Sequence, residues 1–389
     1  MKKYKIVFFT GNRAEYGLIR PFLKYFQKHN SFKTHLIVSG SHLNINHGNT
    51  IKEIQKDNIK NLHKININCG TNTLNKTCEY FNSLQKKINN FIKKNKTDIF
   101  FLSSDRFETM SAAVTAHMNK IPIIHYEGGD KTEGGTLDDC IRHSITKLAH
   151  LHLTSNKDSY RRVIKLGEEK SRVINIGYSA FIDLKKKELL NNNELIKKFK
   201  IQPKKNIILF TMHPLPLNLN QTKLEIDQIT KALKKLDRKK FQIIATYPNF
   251  DPGYKIILNK LKNLSKNKVI QLFPSLGTKN YHSILNYIGS ENKGICIGNS
   301  SSGIKEPVFF NCRSINIGNR QRNRIKPDNV IEINKIDANH IYRKILKVFK
   351  LNISKMKNPY ALDSNLKDVS TKIIYFMKKK NFINKKCTY

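Results

Sequence analysis

The chain has 389 residues, with 71 Lys and Arg against 29 Asp and Glu, a formal net charge of +42, and 39% hydrophobic residues. That length is enough for two or three domains with cores of their own, and the composition excludes a disordered chain. No apolar run approaches the ~20 residues of a membrane helix and no cleavage pattern opens the chain, which predicts a soluble, cytoplasmic protein.

Apolar, β-branched runs alternate with amphipathic stretches, twice over. The first set of predicted strands is Lys5–Thr10, His35–Val38, Asp98–Leu102, Ile121–His125, Leu151–Thr154 and Val173–Ile176. Helical patterns fall at Tyr16–Lys28, Thr109–Met118, Asp139–Leu148 and Asp158–Leu166. The second set is Asn206–Met212, Gln242–Thr246, Val269–Leu272, Gly294–Ile297, Ser314–Ile317 and Val330–Ile333, with helices at Leu224–Leu236, Tyr254–Leu261, Gly303–Phe309 and Asn339–Phe349. Strands apolar throughout are buried on both faces, so the fold class is α/β, with two doubly wound Rossmann-like domains facing a cleft. The expected domains are 1–177 and 178–365, joined near Tyr178–Lys187, with a helix and a basic, frayed end over 366–389.

Ligands of open α/β sheets bind beyond the carboxyl ends of the strands, so the residues there are the candidates. The first strand runs into Thr10-Gly-Asn-Arg-Ala-Glu-Tyr16, a turn opening a helix, where free N–H groups and Arg13 suit a phosphate or carboxylate. Asp105 and Arg106 follow the Asp98–Leu102 strand, and Glu127 follows Ile121–His125. Two acids on one rim can separate into an acid and a base. A Gly-rich loop, 128–135, leads to Asp138-Asp-Cys-Ile-Arg-His143, where Asp138 is expected to cap a helix carrying Asp139, Arg142 and His143. In the second half His213 follows Asn206–Met212 and Asn249 follows the next strand. Gly298-Asn-Ser-Ser-Ser-Gly303 supplies small residues and hydroxyls for a diphosphate, Glu306 an acceptor for a ribose hydroxyl, and Arg320 a further cation. Each feature alone is also what an ordinary βα turn shows.

Together they resemble the hydrolysing UDP-N-acetylglucosamine 2-epimerases. The resemblance lies in Gly11-Asn-Arg-Ala-Glu-Tyr16, Asp105-Arg106, Glu127-Gly-Gly129, Asp138-Asp139 with Arg142-His143, Lys147-Leu-Ala-His150, His213-Pro214, Tyr247-Pro-Asn249, Gly298-Asn-Ser-Ser301 and Arg320-Gln321. It covers residues 5 to 325, with the pieces in the family's order. It implies a glycosyltransferase-B-like fold whose C-terminal helix crosses back to the first domain, and release of UDP from a UDP-2-acetamido sugar with inversion at C2. It implies no NAD, no other cofactor and no metal, and a homodimer or homotetramer. By resemblance Arg13, Arg106, His213, Asn249, Ser300, Ser301, Glu306 and Arg320 hold UDP, with Arg142 and His143 also at the substrate, and Asp105, Glu127 and Asp138 line the sugar as the catalytic acids. The chain departs from the pattern at Ser104, where the family usually has Gly, in the longer loop 131–135, and at Pro307.

The weakly acidic C2 proton calls for elimination of UDP to a 2-acetamidoglucal, then addition of water. The product, N-acetylmannosamine, serves sialic acid synthesis. The nearest alternative is the same reaction on a UDP-2,4-diacetamido-2,4,6-trideoxy sugar of the legionaminic acid branch. A basic nucleic-acid-binding protein is the distant one, disfavoured because the lysines are dispersed and no arginine-rich or zinc-finger segment occurs. Six cysteines without Cys-x-x-Cys spacing predict free thiols.

Overall fold

A computed structural model describes residues 3–44, 50–68, 73–132, 138–182, 184, 188–249, 251–349, 356–379 and 381–388. The expectations for Cys69, Gly134, Gly135 and the lysines at 185–187 lie outside the described residues.

The chain divides into two compact units, one of Met1–Asp130, Leu137–Leu184 and Tyr360–Tyr389, the other of Lys131–Thr136 and Lys185–Pro359. In the first, strands β1 (Tyr4–Thr10), β2 (Phe32–Val38), β3 (Leu62–Lys64), β4 (Ile99–Ser103), β5 (Ile123–Tyr126), β6 (Leu151–Thr154) and β7 (Val173–Asn175) form one sheet. Its order is β3-β2-β1-β4-β5-β6-β7 and every pairing is parallel. Helices α1 (Arg13–Lys28), α2 (Ile51–Gln55), α3 (Leu74–Lys94), α4 (Phe107–Met118), α5 (Asp138–Leu148) and α6 (Lys157–Lys165) connect the strands. Ile6, Val7, Phe8, Phe100, Phe101 and Leu102 are fully buried, as helices on both faces require.

The second unit repeats the plan. Strands β8 (Asn206–Thr211), β9 (Phe241–Thr246), β10 (Gln271–Phe273), β11 (Gly294–Gly298), β12 (Arg313–Ile317) and β13 (Val330–Ile333) lie in the order β10-β9-β8-β11-β12-β13, again all parallel. Its helices are α7 (Asn192–Phe199), α8 (Leu219–Lys234), α9 (Tyr254–Lys266), α10 (Gly277–Ser290), α11 (Ser302–Lys305) and α12 (Ala338–Val348). Ile208, Phe210, Ile226, Ile243, Ile257, Ile295, Ile315 and Ile341 belong to one buried cluster between sheet and helices.

Several elements differ from the sequence reading. The strand expected at Val269–Leu272 forms two residues later, and β3, α2, α3, α7 and α10 had no predicted counterpart. The helix expected over Gly303–Phe309 is broken. α11 stops at Lys305, and a 3-10 turn starts with Pro307 at its first position, where a missing N–H costs nothing.

The described residues of the C-terminal end are not frayed. Helix α13 (Leu366–Lys378) lies beside α1, with the Tyr25 and Ser370 hydroxyls 3.1 Å apart. Beyond it, the Arg172 guanidinium lies 4.6 Å from the centroid of the Phe376 ring and donates to the carbonyls of Phe382 (2.9 Å) and Asn381 (3.2 Å). Lys385 reaches the buried Glu168 carboxylate at 3.0 Å, and Glu168 also meets His152 Nε2 at 3.0 Å. Buried carboxylate and buried guanidinium both need partners, and the tail supplies them.

Candidate functional site

Both sheets reverse their strand order at one point, between β1 and β4 and between β8 and β11. The candidate residues cluster at these two switch points.

In the first unit, Gly11 and Asn12 join β1 to α1. The Asn12 side chain caps the helix by accepting from Glu15 N–H at 3.1 Å, and Glu15 Oε2 accepts from Gly11 N–H at 2.7 Å. Two of the N–H groups expected to be free for an anion are therefore spent inside the turn. Glu15 is itself buried beside Glu108, which pushes its carboxyl up to about 8 even though Thr109 donates to it at 2.6 Å. Gly11 packs against this group, since an added Cβ would stand 3.1 Å from Glu108 Cβ. Arg106 donates from Nε to Glu108 at 3.3 Å.

Asp105 and Glu127 leave neighbouring strand ends, just beyond the paired Ser103 and Tyr126. Both turns are left-handed, with φ of 70° at Ser104 and 69° at Glu127. That geometry gives a physical reason for glycine at the Ser104 position, since a Cβ is disfavoured there. The turn is held from behind by His125, whose Nε2 meets the Ser104 carbonyl at 2.9 Å. Burial pushes His125 down to about 3, so it is a neutral donor.

Arg142 is the centre of the acid group. It is 1% exposed, pairs with Asp105 and with Asp139, and donates to the Asp130 carbonyl at 2.8 Å. Burial works against its charge, but Asp105, Asp130, Asp139 and Asp138 hold it firmly protonated. Asp138 is the first residue of α5 rather than its cap, and His143 stands one turn on, half-buried on the same helix.

In the second unit, His213 accepts at Nδ1 from Asn249 N–H at 3.0 Å and reaches Ser300 Oγ with Nε2 at 3.3 Å. The Ser300 and Ser302 hydroxyls are 2.9 Å apart. Gly298 is at φ 144°, and a Cβ there would fall 1.7 Å from the Thr211 carbonyl. Gly303 is different: a Cβ would meet only Cys296 Sγ at 3.5 Å and Ser314 Oγ at 3.9 Å. The packing of the protein does not by itself require a bare backbone at Gly303. Glu306 meets His282 Nε2 of α10 at 2.8 Å, and Arg320 donates to the Asn299 carbonyl at 3.3 Å. Ser301 opens α11.

The family model described as UDP-N-acetylglucosamine 2-epimerase matches residues 24–374. The chain belongs to that family. It is 34% identical over 355 residues to the GDP/UDP-N,N'-diacetylbacillosamine 2-epimerase (hydrolyzing) of Campylobacter jejuni, covering 90% of each chain. It is 32% identical to the polysialic acid biosynthesis protein P7 of Escherichia coli, over 97% of this chain and 95% of that one. Among solved structures, the UDP-GlcNAc 2-epimerase of Neisseria meningitidis bound to UDP-GlcNAc superposes with a TM-score of 0.75 at 17% identity, covering 95% of this chain and all of that one. The Methanocaldococcus jannaschii UDP-GlcNAc 2-epimerase, in complex with UDP-GlcNAc and UDP, gives 0.76 at 17%, covering 95% and 99%. These two show the fold, glycosyltransferase-B-like with two doubly wound domains.

Within this epimerase family the chain is an enzyme of the hydrolysing kind, a UDP-sugar 2-epimerase. Among the described residues no helix is long and apolar enough to cross a membrane. Sequence reasoning missed His125, Asn299 and the Glu15–Glu108 pair as parts of the two switch points. Each is a buried polar residue beside a candidate, a signal that burial reveals and residue spacing does not.

Proposed function

We propose that the protein hydrolyses UDP-N-acetylglucosamine to UDP and free N-acetylmannosamine, a step towards nonulosonic acids. The observation that carries this reading is the division of chemistry in a chain of this family: carboxylates around a buried arginine at one switch point, and imidazole, hydroxyls and guanidinium at the other.

Asp105 or Glu127 takes the C2 proton as the C1–O bond to UDP breaks, and the C2–H electron pair becomes the C1=C2 bond of a 2-acetamidoglucal. Water then adds its oxygen to C1, and a carboxyl returns a proton to C2 on the opposite face. Arg13, Arg106, His213, Asn249, Ser300, Ser301 and Arg320 would hold the leaving UDP and its growing charge, and Glu306 a ribose hydroxyl. Arg142 would hold Asp105 in place, with Asp138 and His143 beside it.

The test is incubation with UDP-N-acetylglucosamine in D₂O, followed by proton NMR. UDP and N-acetylmannosamine deuterated at C2 are expected, and absence of both products refutes the substrate. A second reading, the 2,4-diacetamido-2,4,6-trideoxy sugar, matches the names of the Campylobacter relative and of the Legionella pneumophila UDP-N,N'-diacetylbacillosamine 2-epimerase (hydrolyzing), 28% identical over 92% of this chain. Turnover of that sugar alone would select it.

A further inference from the structure

Three loops of the second unit carry groups assigned above to the diphosphate: His213 after β8, Ser300 and Ser301 after β11, and Arg320 after β12. Each lies past the end of its strand, so the sheet ladder does not fix it. One buried residue is bonded to the first and the third and belongs to the second. Asn299, 1% exposed, accepts from His213 N–H through Oδ1 at 2.7 Å and donates through Nδ2 to the His213 carbonyl at 2.9 Å. Its own carbonyl accepts from Gln321 Nε2 at 3.0 Å and Arg320 Nη1 at 3.3 Å.

This two-point bond is the pairing of one strand with another, made here by a side chain. It fixes the His213 backbone, and the ring is left with one neutral form. Because Nδ1 accepts from Asn249 N–H, the proton sits on Nε2, beside Ser300 Oγ. A proton on Nε2 is what an anionic phosphate oxygen requires of this ring.

We propose that Asn299 is a positioning residue of the diphosphate site, acting through His213, with Gln321 holding Asn299 in turn. The proposal rests on the reading of His213 as a UDP ligand.

Asn299→Asp keeps the size and the Oδ1 acceptor but sets a carboxylate oxygen against the His213 carbonyl. The dissociation constant for UDP, measured by calorimetry, is expected to rise about 10–100-fold, the effect of losing one hydrogen bond to a charged group. In a His213→Ala background the same change is expected to cost less than about twofold, since interacting residues are not additive. Nitrogen-15 spectra of the imidazole read the arrangement without UDP. The His213 ring is expected to be locked as Nε2–H in the wild type and to exchange tautomers in the variant. Gln321→Met, which keeps all other contacts of the loop, is expected to weaken UDP in the same His213-dependent way if Asn299→Asp does not fold. Unchanged UDP affinity, additive losses with His213→Ala, or an unaltered His213 spectrum would each overturn the proposal. A wild-type protein that ignores UDP would instead sink the functional reading, and the imidazole spectrum would still decide this one.

Discussion

Glu225 offers a stability test that reads directly from its surroundings. It is fully buried on α8, its Oε1 accepts from Gln221 at 3.0 Å, and its Oε2 has no hydrogen-bond partner among the described residues. Burial raises it from an ordinary 4.5 to about 7, with Gln221 and Arg320 only partly opposing. At about 1.4 kcal/mol per pH unit, ionising it in the folded protein costs about 3 kcal/mol more than in the unfolded chain. The sign follows from linkage. Below 4.5 both states carry the proton and no penalty exists. As pH rises to 7 the unfolded chain loses its proton first, so stability falls. Above 7 the whole penalty is present. Glu225→Gln removes it with little change of shape. The variant is expected to gain about 3 kcal/mol at pH 8, or ~6–12 °C in the melting of a unit this size, and almost nothing near pH 4.5. The chain has no tryptophan, so melts followed by circular dichroism at pH 5 and pH 8 are the assay. A gain equal at both pH values, or none at pH 8, would falsify the argument.

Other outcomes follow from single residues. Asp105→Asn is expected to lower turnover about 10²–10⁴-fold while calorimetry finds UDP affinity unchanged; a smaller loss removes Asp105 from proton transfer. Gly303→Ala is expected to leave the melting temperature within about 1 °C, because the added Cβ makes only ordinary van der Waals contacts, yet to weaken UDP binding; equal affinity would mean no ligand approaches that backbone. Gly298→Ala, whose Cβ overlaps the Thr211 carbonyl, is expected to destabilise strongly, and an unchanged melting curve would contradict the strand-end geometry. Ser104→Gly relieves a left-handed turn and is expected to stabilise by about 1 kcal/mol or less at unchanged kcat, checked by melts and turnover together.

The architecture was legible in the sequence because a strand buried on both faces must be apolar at every position. Phe8, Phe101 and Ile208 announce such strands without any partner being known. Short or half-buried elements gave no comparable signal. β3 has three residues, none fully buried, and α3 buries only Tyr80, Leu84 and Ile88 along 21 positions. α10 was likewise unseen, and with it the His282 that meets Glu306.

The candidate residues themselves were visible for a related reason. Strand ends are where a doubly wound sheet exposes backbone, so an Asp, Glu, His or Ser there stands out against apolar neighbours. Their partners were not visible. Arg142 reads in the sequence as a candidate at the substrate, and only folding shows its guanidinium buried between Asp105 and Asp139, 37 and 3 residues away. Asn299 and His213 are 86 residues apart. The sequence alone determined the kinds of residue at each strand end, because periodicity and turn chemistry are local. Which of them are ligands and which are held behind those ligands was decided by tertiary structure, because desolvation and hydrogen-bond pairing depend on neighbours that the chain brings together from far along its length.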